Sequence, residues 1–521
     1  MSMPSDQERS PRGARHVIAV GGGRGGVGKS LIAGSLAIYF AQLGKSVVLA
    51  DGDATDGNLH AHFGLGAAKK EASLDRNAHT AIEEALVQTL VPGLSLLPAP
   101  HDSIEPVTMQ RTGRKARWLA RLRALPAEYV IIDVGPGHGP FQLDILGNAD
   151  MAIVVTIPEP PAVEATYRFA RASFLRRLRR SVLRDKLRSA LIERALRETG
   201  VLPAPIELVR TLSKMDRLLA EAAWAEARRL PLYLVVNQTR VRSDLEVGSQ
   251  MSALASRHYG VPIEELGHVE QDDTVWLAVR RNRPLLVDSP ASKAARNIER
   301  IARRVLALLT TVESRSAPPA PLNLGQTSLY EVLSVSRAAT DEDIRRAFKK
   351  QRDIYGPGGL ATSSLLSETM RLGELARVDE AHDTLLDPIR RRAHDLSMFP
   401  DEVDPPKPAA RPTRPALAAE QLMLQAELAR EIGPDTEFTG ALLRKVRESQ
   451  GVDLAEIAAH TKISRSHLAS IEEESFASLP AVVYVRGFVT EFAKFLRLDA
   501  AQVQRSYLRR MRERLTDADR G

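Results

Sequence analysis

Eight residues near the N-terminus have the types and spacing that a phosphate-binding loop requires. The stretch Gly23-Arg24-Gly25-Gly26-Val27-Gly28-Lys29-Ser30 fits the pattern G-x-x-x-x-G-K-[ST]. Glycines let backbone N–H groups converge on phosphate oxygens, and the N-terminus of a following helix adds partial positive charge. We expect Lys29 to reach the β- and γ-phosphates and Ser30 to place its hydroxyl on Mg²⁺.

The elements around this loop are typical of a strand-to-helix turn. The apolar run His16–Val20 precedes the loop, and a helical pattern over Leu31–Leu43 follows it. Two further apolar runs end in carboxylates, the first at Asp51 and Asp53 and the second at Asp133. Because the carboxyl ends of parallel strands meet at one edge of a sheet, these carboxylates are predicted to face the nucleotide.

The glycine pattern R-G-G-V-G-K-S resembles the deviant Walker A loop of the ParA/MinD class of ATPases, in which Arg24 is usually lysine. The stretch from Asp51 to Leu59 resembles the D-x-D-x-x-x-x-N-L switch of that class, and the stretch from Asp133 to Gly137 is similar to its second switch. The resemblance implies an enzyme that binds and hydrolyses ATP with Mg²⁺ and forms an ATP-dependent homodimer.

The resemblance also implies roles for individual residues. In the family the residue at Arg24 crosses the dimer to the partner's phosphate. Arginine keeps that charge but is longer and planar, which affects dimer-coupled hydrolysis more than ATP binding. The implied catalytic residues are Lys29, Asp53, which orients the attacking water, and Arg24. The implied metal-site residues are Ser30, Asp51 and Asp133, and the implied nucleotide contacts outside the loop are Gly135, at the γ-phosphate, and Asn237, at the adenine edge.

Apolar runs and helical patterns alternate through the rest of the first domain. Asp150–Thr156 and Pro231–Asn237 are predicted strands, a closing strand is expected from Gly267, and a last helix is expected over Ala291–Leu309. The segment from Ile157 to Ala165 is similar to one in MinD and FlhG. The sequence predicts an α/β fold, a doubly wound parallel-sheet P-loop NTPase domain followed by two small all-α domains.

A long helical insertion is predicted over residues 167–230, and its first part, 168–188, is an amphipathic basic helix. Its arginines either form a solvated face over a buried apolar stripe or contact acidic lipid or nucleic-acid phosphates.

The predicted domain boundaries are a flexible tail at 1–15, the ATPase domain at 16–313, a linker at 314–327, a helical domain at 328–399, a linker at 400–434 and a last domain at 435–515.

Residues 328–399 resemble a DnaJ-type J domain through Tyr330-Glu331-Val332-Leu333 and the helical pattern that begins at Ala339. The loop that carries His-Pro-Asp in J proteins reads Tyr355-Gly356-Pro357-Gly358 here. Stimulation of DnaK-type chaperones should therefore be lost, and we interpret the segment as a degenerate J-like module for protein contact.

The last domain shows a five-helix pattern that resembles an Xre-type helix-turn-helix, and the following segment, Phe476–Phe488, resembles the cytoskeletal protein RodZ. Lys462, Ser464, Arg465, Ser466 and His467 are placed to approach a DNA groove. Glu472, Glu473 and Glu474 follow on the same helix and should repel phosphates. The sequence leaves protein contact and DNA contact both open.

Composition narrows the function classes. The 521 residues include no cysteine and carry a net charge of +7. Disulfides and thiolate-ligated iron–sulfur clusters are therefore excluded, which separates the chain from the nitrogenase iron protein and Mrp-type carriers that share this loop. We expect no transmembrane helix and no secretory signal, hence a cytoplasmic location, with peripheral contact at the inner face of the plasma membrane left open.

Three functions are consistent with these features. The first is an ATP-driven ParA/MinD-type switch that positions a cellular structure, such as a flagellum, a division site or a polar assembly, through its C-terminal modules. The second is an ATP-regulated DNA-binding factor for partition or transcription. The third, supported only by Arg24, is a scaffold that binds nucleotide without turnover.

Overall fold

The computed structural model describes residues 14–53, 57–66, 82–99, 112–200, 202–229, 231–312, 322, 327–399, 428, 432–433, 436–461, 463–480, 482–496 and 498–518. The chain divides into two compact units, one of residues 1–302 and 316–410 and the other of 303–315 and 411–521. Most of the predicted tail and linkers, residues 54–56 of the predicted first switch, and Lys462 lie outside the described residues. Within those residues, no helix is both long and apolar enough to cross a bilayer.

The first unit is built on an eight-stranded sheet with the order β3-β4-β2-β5-β1-β6-β7-β8. All neighbouring strands are parallel except β3, which is antiparallel to β4. The inner strands are continuous runs of valine, isoleucine, leucine and alanine because both of their faces are covered. The strands are β1 (His16–Gly21), β2 (Val47–Asp51), β3 (Val87–Gln88), β4 (Leu94–Leu97), β5 (Tyr129–Asp133), β6 (Met151–Thr156), β7 (Leu232–Thr239) and β8 (Ile263–Glu270).

Helices cover both faces of this sheet, which confirms the predicted doubly wound fold. Val17 and Ala19 of β1 belong to the hydrophobic core that lies beneath α4 and α5 on one face of the sheet. Helix α1 contacts β1, β2 and β5 but has no residue in that core, because it covers the other face. A 3₁₀ turn covers Ile82–Ala85 and a π-helical turn covers Ala255–Tyr259. The helices are α1 (Lys29–Gln42), α2 (Leu59–His62), α3 (Thr112–Ala124), α4 (Pro140–Asn148), α5 (Pro160–Ser181), α6 (Lys186–Thr199), α7 (Pro205–Met215), α8 (Arg217–Arg228), α9 (Asp244–Leu254), α10 (Asp273–Arg280), α11 (Leu285–Asp288) and α12 (Lys293–Val312), of which residues 303–312 are assigned to the second unit.

Two sequence predictions need correction in this unit. The closing strand β8 begins at Ile263, four residues before the predicted Gly267. The basic helix predicted over 168–188 is two helices, α5 and α6, separated by residues 182–185. The break has a local cause, because the Asp185 carboxylate caps α6 by accepting a hydrogen bond from the Arg188 N–H at 3.0 Å.

Five further helices follow within the first unit and pack against the end of α9. Arg257 donates to the Val332 carbonyl at 2.7 Å and forms an ion pair with Glu374. His258 Nε2 lies 2.7 Å from the Tyr355 hydroxyl, so the loop that begins at Tyr355 starts from an internal contact. These helices are α13 (Leu329–Leu333), α14 (Asp341–Tyr355), α15 (Leu360–Ser363), α16 (Glu368–Leu386) and α17 (Pro388–Met398).

The second unit contains the five helices predicted for the C-terminal domain, around a core that includes Leu443, Leu468 and Phe492. A bidentate ion pair joins Arg447 to Glu472, whose side chain is almost fully buried. A 3₁₀ turn at Phe476–Ser478 precedes the fourth helix. The helices are α18 (Gly440–Ser449), α19 (Leu454–Thr461), α20 (Arg465–Glu472), α21 (Val482–Phe495) and α22 (Ala500–Ala518).

Candidate functional site

The loop between β1 and α1 adopts the backbone conformation that its glycines were predicted to permit. Gly26 and Gly28 have φ angles of +76° and +95°, a region that side chains with a Cβ atom rarely adopt. A Cβ atom on Gly28 would lie 2.2 Å from the Asn237 amide nitrogen, and one on Gly23 would lie 2.3 Å from the Ala165 carbonyl oxygen. The loop is thus held between the ends of β7 and α5, and glycine is required there by both conformation and space.

Three strands bring the polar residues of the site to the same edge of the sheet. In the register of the sheet, Asp133 at the end of β5 is paired with Val20 of β1 on one side and Asp51 of β2 on the other. The loop after β5 is also tied to the phosphate-binding loop, because the Gly137 N–H donates to the Gly22 carbonyl at 3.2 Å. The predicted convergence of Asp51 and Asp133 at the loop therefore follows from the strand register.

Lys29, Ser30 and Asp133 form the centre of the site. The Lys29 ammonium group donates to the Arg24 carbonyl at 3.1 Å, and its side chain is only 7% exposed. Burial lowers the pKa of Lys29, although the nearby carboxylates of Asp133 and Asp53 act in the opposite direction. Burial raises the pKa of Asp133 to about 7, against a hydrogen bond from the Ser30 hydroxyl that favours the ionised form.

The same carboxyl group supplies the observation that bears on Mg²⁺. Among the described residues, Asp133 Oδ1 is buried without a hydrogen-bond partner. A buried carboxyl oxygen beside a serine hydroxyl fits a cation that takes few protein ligands and completes its shell with phosphates and water. Ser30 and Asp133 would hold Mg²⁺, which would neutralise charge on the phosphates. The described residues contain no cluster of three or more histidine or carboxylate side chains that would favour a metal cage of another kind.

Asp51 and Asp53 occupy different positions in the site. The Asp51 carboxylate is buried and accepts backbone hydrogen bonds from Asp53 and from Leu59, each at 3.1 Å. It therefore orders both ends of the first predicted switch. The Asp53 carboxyl carbon lies 2.8 Å from where a Cβ atom of Gly135 would stand, so Asp53 and Gly135 are neighbours.

Arg24 and Asn237 have partners within the chain. The Arg24 guanidinium group forms an ion pair with Glu159 at 2.7 Å, between two half-exposed side chains. The buried Asn237 amide donates to the Val27 carbonyl at 2.8 Å. Sequence reasoning missed Glu159 as a partner of Arg24, although the acidic residue stands in the segment that resembles MinD, immediately before α5. The predicted roles of Arg24 at a dimer and of Asn237 at adenine stay predictions.

Comparisons with known proteins agree with this geometry. Residues 13–183 match the ParA family model, described as an iron-transfer P-loop NTPase of the NUBPL type. The flagellum site-determining protein YlxH of Helicobacter pylori is 31% identical over 166 residues, which cover 30% of this chain and 53% of YlxH. The septum site-determining protein MinD of Synechocystis is 35% identical over 153 residues, or 28% of this chain and 55% of that MinD. Residues 13–183 are therefore similar to P-loop NTPases of the ParA/MinD type.

Each match covers only part of both proteins. The chain spans about half the length of the curated relatives it matches. An iron–sulfur cluster carrier protein of Aquifex aeolicus is also 31% identical over 157 residues. The present chain has no cysteine, so residues 13–183 offer no thiolate to a cluster. The crystal structure of the Pyrococcus furiosus cell division ATPase MinD aligns with a TM-score of 0.37 at 17% identity, covering 56% of this chain and 99% of that protein.

Residues 442–503 match the model of a helix-turn-helix domain. The geometry of this domain corrects one argument made from its sequence. Glu472 and Glu474 were expected to repel phosphates, but the Glu472 carboxylate is buried against Arg447, and Glu474 accepts hydrogen bonds from Arg510 and the Gly440 N–H. Only Glu473 of the three acidic residues keeps the expected exposed position.

Proposed function

We propose that this chain is an ATP-binding and ATP-hydrolysing molecular switch of the ParA/MinD type. The observation that carries the proposal is the convergence of Lys29, Ser30 and Asp133 at one sheet edge, with an unpartnered buried carboxyl oxygen where a Mg²⁺ ligand is needed. Bound ATP would give Lys29 phosphate oxygens to contact in addition to the Arg24 carbonyl.

Each residue of the site has a separate role in the proposed reaction. Backbone N–H groups of the loop bind the phosphates, and Lys29 offsets negative charge on the γ-phosphate. Asp53, beside Gly135, orients the attacking water. Arg24 leaves Glu159 and contacts the phosphate of the partner subunit, so that ATP favours a homodimer. The ion pair between Arg24 and Glu159 is half-exposed, so its replacement by a phosphate contact costs little.

The output of the switch is the placement of a cellular structure. Support comes from the relatives whose names refer to flagellum and septum site determination. In this proposal the J-like helices α13–α17 and the RodZ-like helices α18–α22 contact protein partners.

Phosphate release by the purified chain tests the proposed activity. We expect Mg²⁺-dependent hydrolysis of ATP that is lost in Asp53→Ala and Lys29→Ala. The two variants should differ in binding of a fluorescent ATP analogue, because Asp53→Ala removes the water-orienting group and Lys29→Ala removes a phosphate contact. Nucleotide binding without turnover in the wild type would support the scaffold function instead.

A second candidate function is an ATP-regulated DNA-binding factor. The helix-turn-helix match favours it, and so do the internal ion pairs of Glu472 and Glu474. Arg465 and Ser466 are also exposed at the start of α20. Binding to duplex DNA that falls steeply with salt, and more steeply than in Arg465→Gln, would support this function.

A further inference from the structure

The corner between α5 and α6 exposes apolar and basic side chains together. We define the α5–α6 corner as residues 180–188, which include four basic residues and one acidic residue, Asp185. Leu183 is 77% exposed and Leu187 is 73% exposed. Val182, which precedes Leu183, is buried in the core of the first unit and anchors the corner. Both leucines therefore project from a part of the chain that is fixed to the first unit.

The basic residues of the corner are only partly neutralised. Arg188 pairs with Asp185, and Arg180 pairs with Asp144 of α4. Within the part of the chain that the structure describes, Arg184 and Lys186 take part in no ion pair, and both are exposed. The corner thus presents two exposed leucines that flank two unpaired positive charges in the sequence.

A cavity with arginine walls opens beside the same corner. It has a volume of about 490 Å³, and Ser181, the last residue of α5, lies in its wall. Its basic lining residues are Arg176, Arg177, Arg180 and Arg229, opposed by the acidic residues Asp144 and Glu226. Arg176 and Arg180 share the buried Asp144 carboxylate, and Arg229 pairs with Glu226.

Among the described residues, no carboxylate contacts Arg177, unlike the other three arginines of this cavity. Its Nη2 donates to the Glu226 backbone carbonyl at 2.9 Å. Its Nε and Nη1 are buried and have no hydrogen-bond partner among the described residues. A buried guanidinium group with unpaired N–H groups is costly unless an anion completes its hydrogen bonds. The fork of N–H groups suits the oxygens of a phosphate.

We propose that the α5–α6 corner and the adjoining arginine cavity form a contact site for an anionic phospholipid membrane. Leu183 and Leu187 enter the boundary between headgroups and acyl chains, Arg184 and Lys186 face the anionic surface, and a lipid phosphate binds at the mouth of the arginine cavity. A nucleic acid would satisfy the arginines but would leave both leucines without an apolar partner, so the leucines decide for lipid. The site requires neither ATP nor a dimer.

Vesicle sedimentation of the full-length chain, without nucleotide, tests this assignment. We expect binding to vesicles of phosphatidylcholine mixed with an equal amount of phosphatidylglycerol and none to phosphatidylcholine alone. The variant Leu183→Ser/Leu187→Ser should lower the partition constant about tenfold or more. Leu218→Ser is the matched control, because Leu218 is 67% exposed at the corner between α7 and α8, and it should leave binding unchanged.

Charge variants separate the electrostatic part of the contact from the apolar part. Arg184→Gln/Lys186→Gln should lower binding about fivefold per charge removed, whereas Arg194→Gln, which removes a charge paired with Glu198, should have little effect. Equal binding of the wild type and the double-leucine variant would overturn the proposal, and so would equal binding to both kinds of vesicle.

The phosphate component is measured separately with inorganic phosphate. Phosphate should raise the melting temperature of the wild type but not that of Arg177→Met, or of Arg180→Gln if Arg177→Met does not fold. A phosphate-dependent shift without vesicle binding would mean a site for a soluble anion and would overturn the membrane assignment. Because no step of this test uses ATP, its failure would leave the proposed ATPase function untouched.

Discussion

His258 should make the stability of the first unit sensitive to acid. The imidazole is enclosed by Tyr355 at 2.7 Å and by the charged groups of Glu374, Arg257, Arg377 and Arg210. Burial lowers the pKa of His258 to about 4, and the three arginines act in the same direction against Glu374. In the unfolded chain the same group titrates near its ordinary pKa of about 6.5.

The sign of the effect follows from which state binds the proton. Between pH 6.5 and pH 4 the unfolded chain is protonated at His258 and the folded chain is not, so stability is lost as the pH falls. For a folded pKa of about 4, the loss between pH 7.5 and pH 5 is about 2 kcal/mol. Asp133 acts in the opposite direction, because burial raises its pKa to about 7 and its protonation stabilises the folded state.

Comparison with His258→Gln separates the two groups. Glutamine keeps a polar partner for the Tyr355 hydroxyl but does not titrate. All three tryptophans, Trp118, Trp224 and Trp276, belong to the first unit, so urea unfolding followed by fluorescence reports on that unit. Relative to the variant, the wild type should lose about 2 kcal/mol of unfolding free energy when the pH is lowered from 7.5 to 5. A difference that stays constant over this range would refute the reasoning.

Two further perturbations test other parts of the structure. Gly28→Ala should abolish binding of a fluorescent ATP analogue, because the new methyl group would lie 2.2 Å from the Asn237 amide nitrogen at a φ of +95°. Gly44→Ala is the control, because Gly44 has a φ of +78° but lies in open space. It should cost about 1 kcal/mol of stability and leave nucleotide binding intact. Arg447→Met should destabilise the second unit by about 3–5 kcal/mol in thermal unfolding followed by circular dichroism, since it leaves Glu472 charged and buried. Arg447→Met/Glu472→Leu should recover most of that loss, and a double variant as unstable as the single one would contradict the role assigned to the ion pair.

The geometry of the candidate nucleotide site was predictable because its sequence signals are local. Glycine spacing fixes the loop, and carboxylates that end buried runs must meet at one edge of a parallel sheet. Asp51 and Asp133 accordingly occupy neighbouring strand ends. The pair of Arg24 with Glu159 joins residues 135 positions apart, and no periodicity in the sequence reports such a contact.

Charged residues were the least predictable part of the chain. The three glutamates at the end of α20 have the same type and different environments, since Glu472 is buried against Arg447 while Glu473 is exposed. The basic segment 168–188 follows a single helical period, yet the Asp185 cap divides it and leaves Leu187 in solvent. Side-chain direction at a helix end depends on the neighbouring helices, which a single sequence does not reveal.

The ATP-dependent dimer is the central claim of the proposed function, and light-scattering mass measurement tests it most directly. The protein is Asp53→Ala, in which hydrolysis should be blocked and nucleotide binding retained. We predict twice the monomer mass with Mg²⁺-ATP and the monomer mass with Mg²⁺-ADP, as Arg24 exchanges Glu159 for the partner's phosphate. A monomer in both nucleotides, with ATP shown to be bound, would contradict the account.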